Sequence, residues 1–141
     1  MSRFIGLDHG SRRVGVAVGN SETGVAFARP ALRASDPAAV LALARAEGAD
    51  AVVLGLPRNM DGSEGPQAAT VRRFGERLRA LGLSVEYQDE RLSSWEAERD
   101  LAAAGRRPDR RSGELDSAAA RLILQDYLDA TASPRSQQET R

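Results

Sequence analysis

The sequence predicts one α/β domain built on a mixed five-stranded sheet, an antiparallel three-stranded meander plus parallel strands, with helices on its faces. Two observations carry that expectation. Apolar residues alternate with small or polar ones through successive segments near the amino terminus, the period of β-strands. Farther on, helix-period and strand-period segments take turns, the pattern of crossovers between parallel strands. A chain of 141 residues is long enough to bury one sizeable core. The domain is expected over residues 1–130, with TASPRSQQETR (131–141) as a frayed tail.

In RFIGLDHGSRRVGVAVGN (3–20), Phe4, Gly6 and Asp8 point one way and Ile5 and Leu7 the other. Val14, Val16 and Val18 repeat the period, so two strands joined by a polar turn are predicted. GVAFARPAL (24–32) reads as a third strand. SDPAAVLALARAEG starts a helix at Ser35 or Asp36, with Pro37 in its first turn and Gly48 as its stop. ADAVVLGLP (49–57) is a near-continuous apolar run, as a strand covered on both faces would be, and the polar loop RNMDGSEG (58–65) follows. Val71, Phe74, Leu78 and Leu81 recur at helical spacing until Gly82. LSVEYQDE (83–90) reads as the fifth strand. SSWEAERDLAAAG carries a capping box, Ser93 with Glu96. GRRPDRRSG is then a linker, and ELDSAAARLILQDYLDA (114–130) the last helix.

Hydrophobic content of 41% and charged content of 28% are ordinary for a globular protein. No apolar run is long enough to span a membrane and no signal segment opens the chain. The absence of cysteine excludes disulfides and thiol chemistry and fits a cytoplasmic protein; with a single histidine, it also argues against structural zinc. Twenty basic and twenty acidic residues cancel, so bulk charge gives no argument for a nucleic-acid partner. Every basic residue is an arginine. A coding bias that also enriches alanine accounts for this, yet the guanidinium fork suits phosphate whatever put it there.

A lone acid inside a strand is expensive to bury unless it is paired or holds a metal. Asp8 lies at the carboxyl end of the first strand, where sites gather in sheets of this kind. Asp89 and Glu90 end the fifth strand, and alternation turns them to opposite faces, so at most one joins Asp8 easily. Asp116 shares a stripe with Ala120, Ile123 and Tyr127, which carries it inward onto the sheet. An acid at a helix start also simply complements the helix dipole. Asp61 and Glu64 are the fallback ligands if Glu90 faces away. Converging carboxylates repel unless a proton or a cation joins them. Oxygen ligands alone suit magnesium or manganese. Such a site orients water and stabilises the departing oxygen of a phosphodiester.

Four blocks, GLDHGSRRVGVAVG, LGLPRNMDGSEGPQA, DERLSSWEA and LDSAAARLILQDYL, occur in that order between residues 4 and 128. Together they resemble the YqgF/RuvX family, whose members are assigned to pre-16S rRNA processing or to resolution of Holliday junctions. The resemblance implies an RNase H-like fold and a nuclease acting on structured RNA or branched DNA. It implies a catalytic and metal-binding triad of Asp8, Glu90 and Asp116 with Mg2+ or Mn2+, and a signature turn at Asn59 to Gly65. Processing of the 5′ end of pre-16S rRNA is the leading expectation. Cutting of four-way DNA junctions is the alternative, and its two symmetric cuts would call for a homodimer. Two departures stand out. Ser93-Ser94 replaces threonine, and His9 stands where the family more often has a small or apolar residue. His9 reads either as a hydrogen-bonded structural residue or as a substrate contact.

Arg106, Arg107, Arg110 and Arg111 just precede Asp116. They read as a phosphate clamp that offsets the acids or as a solvated loop. Arg13 braces the hairpin or a backbone phosphate, Arg91 pairs with a carboxylate or with substrate, and Trp95 reads as core. Two rival functions are weaker. The Asp-x-Gly-Ser hairpin resembles the first phosphate loop of actin-like ATPases, but those enzymes enclose nucleotide between two such domains, and a chain without lysine has no P-loop. A silent binding module would show a broken acid trio, and here the trio is intact.

Overall fold

The computed structural model describes residues 1–33, 36–90 and 114–132, the side chains of 114–116 excepted. The order of elements is β1 (Arg3–His9), β2 (Arg13–Asn20), β3 (Ala26–Arg33), α1 (Pro37–Glu47), β4 (Ala51–Leu56), α2 (Pro66–Ala80), β5 (Val85–Asp89) and α3 (Glu114–Thr131). The strands form one sheet in the order β3-β2-β1-β4-β5. β1, β2 and β3 form an antiparallel meander, and β4 and β5 extend the sheet parallel to β1. The first strand is therefore central, and the connections change character beside it.

Local chemistry explains the element ends. The Asp36 side chain accepts from the Ala39 amide at 3.1 Å, capping α1 ahead of Pro37. Gly48 closes the helix in the left-handed region at φ 63°, a conformation glycine adopts without a steric penalty. The third strand begins at Ala26, later than the sequence suggests, because Asn20 holds the preceding turn through the Thr23 amide at 2.8 Å. Leu81, expected on the buried stripe of α2, is 40% exposed. The helix stops at Ala80 and Leu81 is its cap, leading into Gly82 at φ 94°. The helix expected within 93–105, Trp95 and the tail beyond 132 lie outside the described residues.

The sheet separates two apolar layers. Ile5, Leu7, Val14, Val16, Val52, Leu54 and Leu56 pack with Val40 and Ala44 of α1 and with Val71, Phe74 and Leu78 of α2. On the other face Ala17, Ala26 and Val53 meet Ala120, Ile123, Leu124 and Leu128 of α3. α3 lies so close to β1 that a Cβ on Gly6 would come within 2.6 Å of Leu124 Cβ. Two polar side chains fix this helix along its length. Gln125 accepts from the Ala26 amide at 2.9 Å and donates to the Gly24 carbonyl at 2.7 Å. Nearer its start, the Ser117 hydroxyl accepts from the Val16 amide at 3.3 Å.

Candidate active site

Alternation decides which acids can meet. On β1, Phe4, Gly6 and Asp8 share the α3 face, while Ile5, Leu7 and His9 take the other. On β5, Val85 and Tyr87 pack in the α2-side core, so Asp89 follows them and Glu90 falls on the face of Asp8. The Glu90 amide donates to the Leu56 carbonyl at 3.3 Å, which continues the β4–β5 ladder by one residue.

β4 separates β1 from β5, and Gly55 is what lets the two acids cross it. A Cβ on Gly55 would lie 3.0 Å from Glu90 Oε2 and 3.1 Å from its Cδ, and would overlap Ile123 Cδ1. The bare backbone leaves room for the Glu90 carboxyl to lean towards Asp8, to which it is hydrogen-bonded. Burial pushes the Glu90 pKa up to about 9, and the charge of Asp8, their shared hydrogen bond and the charge of Asp89 add to it. With protein groups alone, the Asp8–Glu90 pair therefore holds a proton between its carboxyls at neutral pH.

The third acid follows from the docking of α3. Asp116 occupies the first turn of that helix, immediately before Ser117. Ser117 is 5% exposed, and it binds the amide of Val16, the direct partner of Leu7 on β1. The backbone of Asp116 thus stands at the Asp8 end of the sheet, and the expected stripe through Ala120 and Ile123 is buried. Among the described residues no three acidic or histidine side chains cluster around one point; the Asp116 side chain lies outside them.

The loop acids are occupied elsewhere. Asp61 accepts from the Ser63 hydroxyl at 2.6 Å and amide at 2.9 Å, bonds that hold its carboxyl below the usual range. Glu64 takes a two-pronged contact from Arg72 at 2.7 and 2.8 Å. These acids build the turn and tie it to α2. His9 stacks on Phe74 with ring centroids 4.5 Å apart, on the face opposite Asp8. Arg13 opens β2, two residues before Gly15, the partner of Asp8, and so shares that acid's face. Arg91, Arg106, Arg107, Arg110 and Arg111 lie outside the described residues.

Two residues of the site escape the sequence reading. Gly55 left one trace, a glycine inside an otherwise bulky apolar strand, which marks a close approach. Ser117 left none, since a serine in a first helical turn is ordinary.

A family profile described as "RuvX: Holliday junction resolvase" matches residues 2–130. A relative from Synechococcus sp. is 46% identical over 136 residues, covering 93% of this chain and 91% of that protein. One from Opitutus terrae is 45% identical over 138 residues, 94% of each. Both carry the name "Putative pre-16S rRNA nuclease". Among solved structures, T. thermophilus RuvC in complex with a Holliday junction substrate aligns with TM-score 0.55 at 15% identity, over 92% of this chain and 95% of that one. The fowlpox virus resolvase bound to Holliday junction DNA gives 0.54 at 10% identity, over 93% and 99%. Likeness at such identity establishes the fold, a RuvC-like form of the RNase H architecture.

Proposed function

The chain belongs to the RuvX family of nucleases, and from that premise we propose that it hydrolyses phosphodiester bonds at the 5′ end of pre-16S rRNA with a divalent metal. The observation that carries the reading is the hydrogen-bonded approach of Asp8 and Glu90 at the carboxyl end of the central strand. The names of the curated relatives supply the substrate.

The donor set fits a hard cation. Two carboxyls in contact need a proton or a cation between them, and ligands that are all oxygen suit Mg2+ or Mn2+. Asp8, Glu90 and Asp116 are the residues that would hold it. When bound, the cation activates water and neutralises charge on the departing oxygen. The chain's own residues do the positioning. β1 and β5 present Asp8 and Glu90 from rigid strands, and Ser117 anchors the helix turn that bears Asp116. Arg13 and Arg91, with Arg106, Arg107, Arg110 and Arg111, supply positive charge for the substrate's flanking phosphates, without which an acidic centre repels a polyanion. Among the described residues no helix is long and apolar enough to cross a membrane, and we place the reaction in the cytoplasm.

A second substrate has one observation in its favour, the family's description as a Holliday junction resolvase. Resolution of a four-way junction would require two copies of the chain arranged symmetrically. The deciding experiment is a side-by-side cleavage assay on a precursor rRNA 5′ end and a mobile four-way junction, with magnesium, manganese or EDTA. Cleavage of the rRNA end that depends on metal is expected. Cleavage of the junction alone overturns the rRNA assignment, and no cleavage of either overturns the nuclease reading.

A further inference from the structure

β2 begins at Arg13 and β3 ends at Arg33, and the two arginines are direct partners across the antiparallel pair. Like charges set opposite one another in a sheet are destabilising.

The route by which Arg33 reaches this position is specific. Two steps along β2, from Val14 to Val16, are matched by three along β3, from Leu32 to Arg29. The extra residue, in the Pro30–Ala31 stretch, reverses the faces that follow. Before it, Arg29 lies on the α1 side and pairs with Glu47 at 2.9 Å. After it, Leu32 packs on the α1–α2 core and Arg33 turns to the opposite face. In an unbroken strand residues 29 and 33 would share a face. The face Arg33 gains is that of Asp8, at the same end of the sheet, since Asp8 pairs with Gly15 and Arg13 follows two residues along. Bulges commonly re-aim side chains beside active sites. Arg33 is exposed and has no ion pair among the described residues.

We propose that Arg33, paired across the strands with Arg13, is a phosphate-binding residue that grips the nucleic-acid backbone beside Asp8 and Glu90. The assignment rests on the nuclease reading for the identity of the polyanion. Two guanidinium forks on one rim engage phosphate oxygens in a planar, two-pronged way. The ligand chemistry is a phosphodiester, in RNA or in DNA.

The test is binding of a labelled RNA hairpin and a labelled DNA duplex in EDTA, where no metal-dependent cleavage occurs, titrated across salt. Arg33→Gln is expected to lower the slope of log affinity against log salt by about 0.9 on the DNA duplex, and to lower it on the RNA hairpin as well. Its melting temperature should stay unchanged or rise, as one of two opposed charges is gone. Arg33→Lys should restore the slope. A reduction seen with one probe only supports the clamp and identifies which backbone it holds. An unchanged slope with both probes overturns it, as does a fall in melting temperature without a change in slope. Asp8→Asn separates the two ideas. Lost cleavage there, with an unchanged slope in Arg33→Gln, overturns the clamp alone; retained cleavage with a reduced slope overturns the catalytic reading alone.

Discussion

Glu90 reaches Asp8 across the bare backbone of Gly55, so that acids from two strands with a third between them share one hydrogen bond. The contact ties the stability of the protein to its chemistry, because a carboxyl that keeps a proton in the folded state titrates differently once the chain unfolds.

Glu90 binds its proton more tightly folded than unfolded, where a glutamate titrates near 4.5. The folded state gains most below that pH, and the gain is lost as pH rises from 4.5 towards about 9. Metal-free protein is therefore predicted to melt at progressively lower temperature across this window, and Glu90→Gln should flatten the decline. A wild-type melting temperature that is level through the window, measured in EDTA, would falsify the shared proton.

Asp8→Asn removes one negative charge and keeps the shape. Metal-free, the variant is expected to melt above the wild type, while its cleavage is lost. Manganese should then reverse the order. A ligand at about a hundred times its dissociation constant stabilises the wild type by about 2.7 kcal/mol, and the variant gains much less. The check is thermal unfolding of both proteins with EDTA and through a manganese titration. Destabilisation of the metal-free variant, with its manganese shift intact, would make Asp8 a structural residue.

Gly55→Ala puts a methyl group where Glu90 and Ile123 already stand. Overpacking of this kind costs about 1–3 kcal/mol, and cleavage should fall further than stability explains, because Glu90 is turned away. Gly75→Ala is the control. Its methyl group meets Tyr87 and Leu54 in the α2 layer, away from the proposed acids, so it should destabilise comparably while the surviving folded protein still cleaves. Equal loss of activity per folded molecule in both variants would remove Gly55 from the site.

Ser117→Ala leaves the Val16 amide without its acceptor. The expected cost is about 1–3 kcal/mol for an unsatisfied buried donor, accompanied by reduced cleavage as the turn carrying Asp116 loosens. Asn20→Ala, in the turn at the opposite end of the sheet, removes the acceptor of the Thr23 amide; it should cost about 1 kcal/mol and leave cleavage of the folded protein as it was. Circular dichroism melts and cleavage rates for the pair distinguish an anchor of the site from a general stabiliser.

Much of this was legible beforehand, for physical reasons. Strand alternation placed Asp8 opposite Ile5 and Leu7, and helical spacing put Ala120 and Ile123 on a packed face, because both depend only on neighbours in sequence. The choice between Glu90 and Asp89 was not legible. It turns on which parity of β5 meets the α2 core, and Tyr87 settles that through tertiary packing. His9 was ambiguous for the same reason, its partner Phe74 being 65 residues further along the chain. Ser117 and the slip at Pro30–Ala31 concern contacts between distant segments, and Gly55 showed in sequence only as a glycine in a bulky strand, without the partner it makes room for. The loop acids misled in the opposite sense: Asp61 and Glu64 look like ligands in sequence but spend their oxygens on Ser63 and Arg72.

The two layers of the sheet also divide the burden of sequence change. A substitution among Val40, Val71, Phe74 or Leu78 alters only how firmly the scaffold holds, since that layer carries none of the proposed acids. A substitution at Ile123 or Leu124 is felt twice, in cohesion and in the seat of Glu90 or the fit of α3 on β1. Exchanges in the α1–α2 layer can thus accumulate in compensating sets without passing through inactive intermediates. Engineering for hardiness belongs on that side of the sheet, with the residues under α3 left as they are.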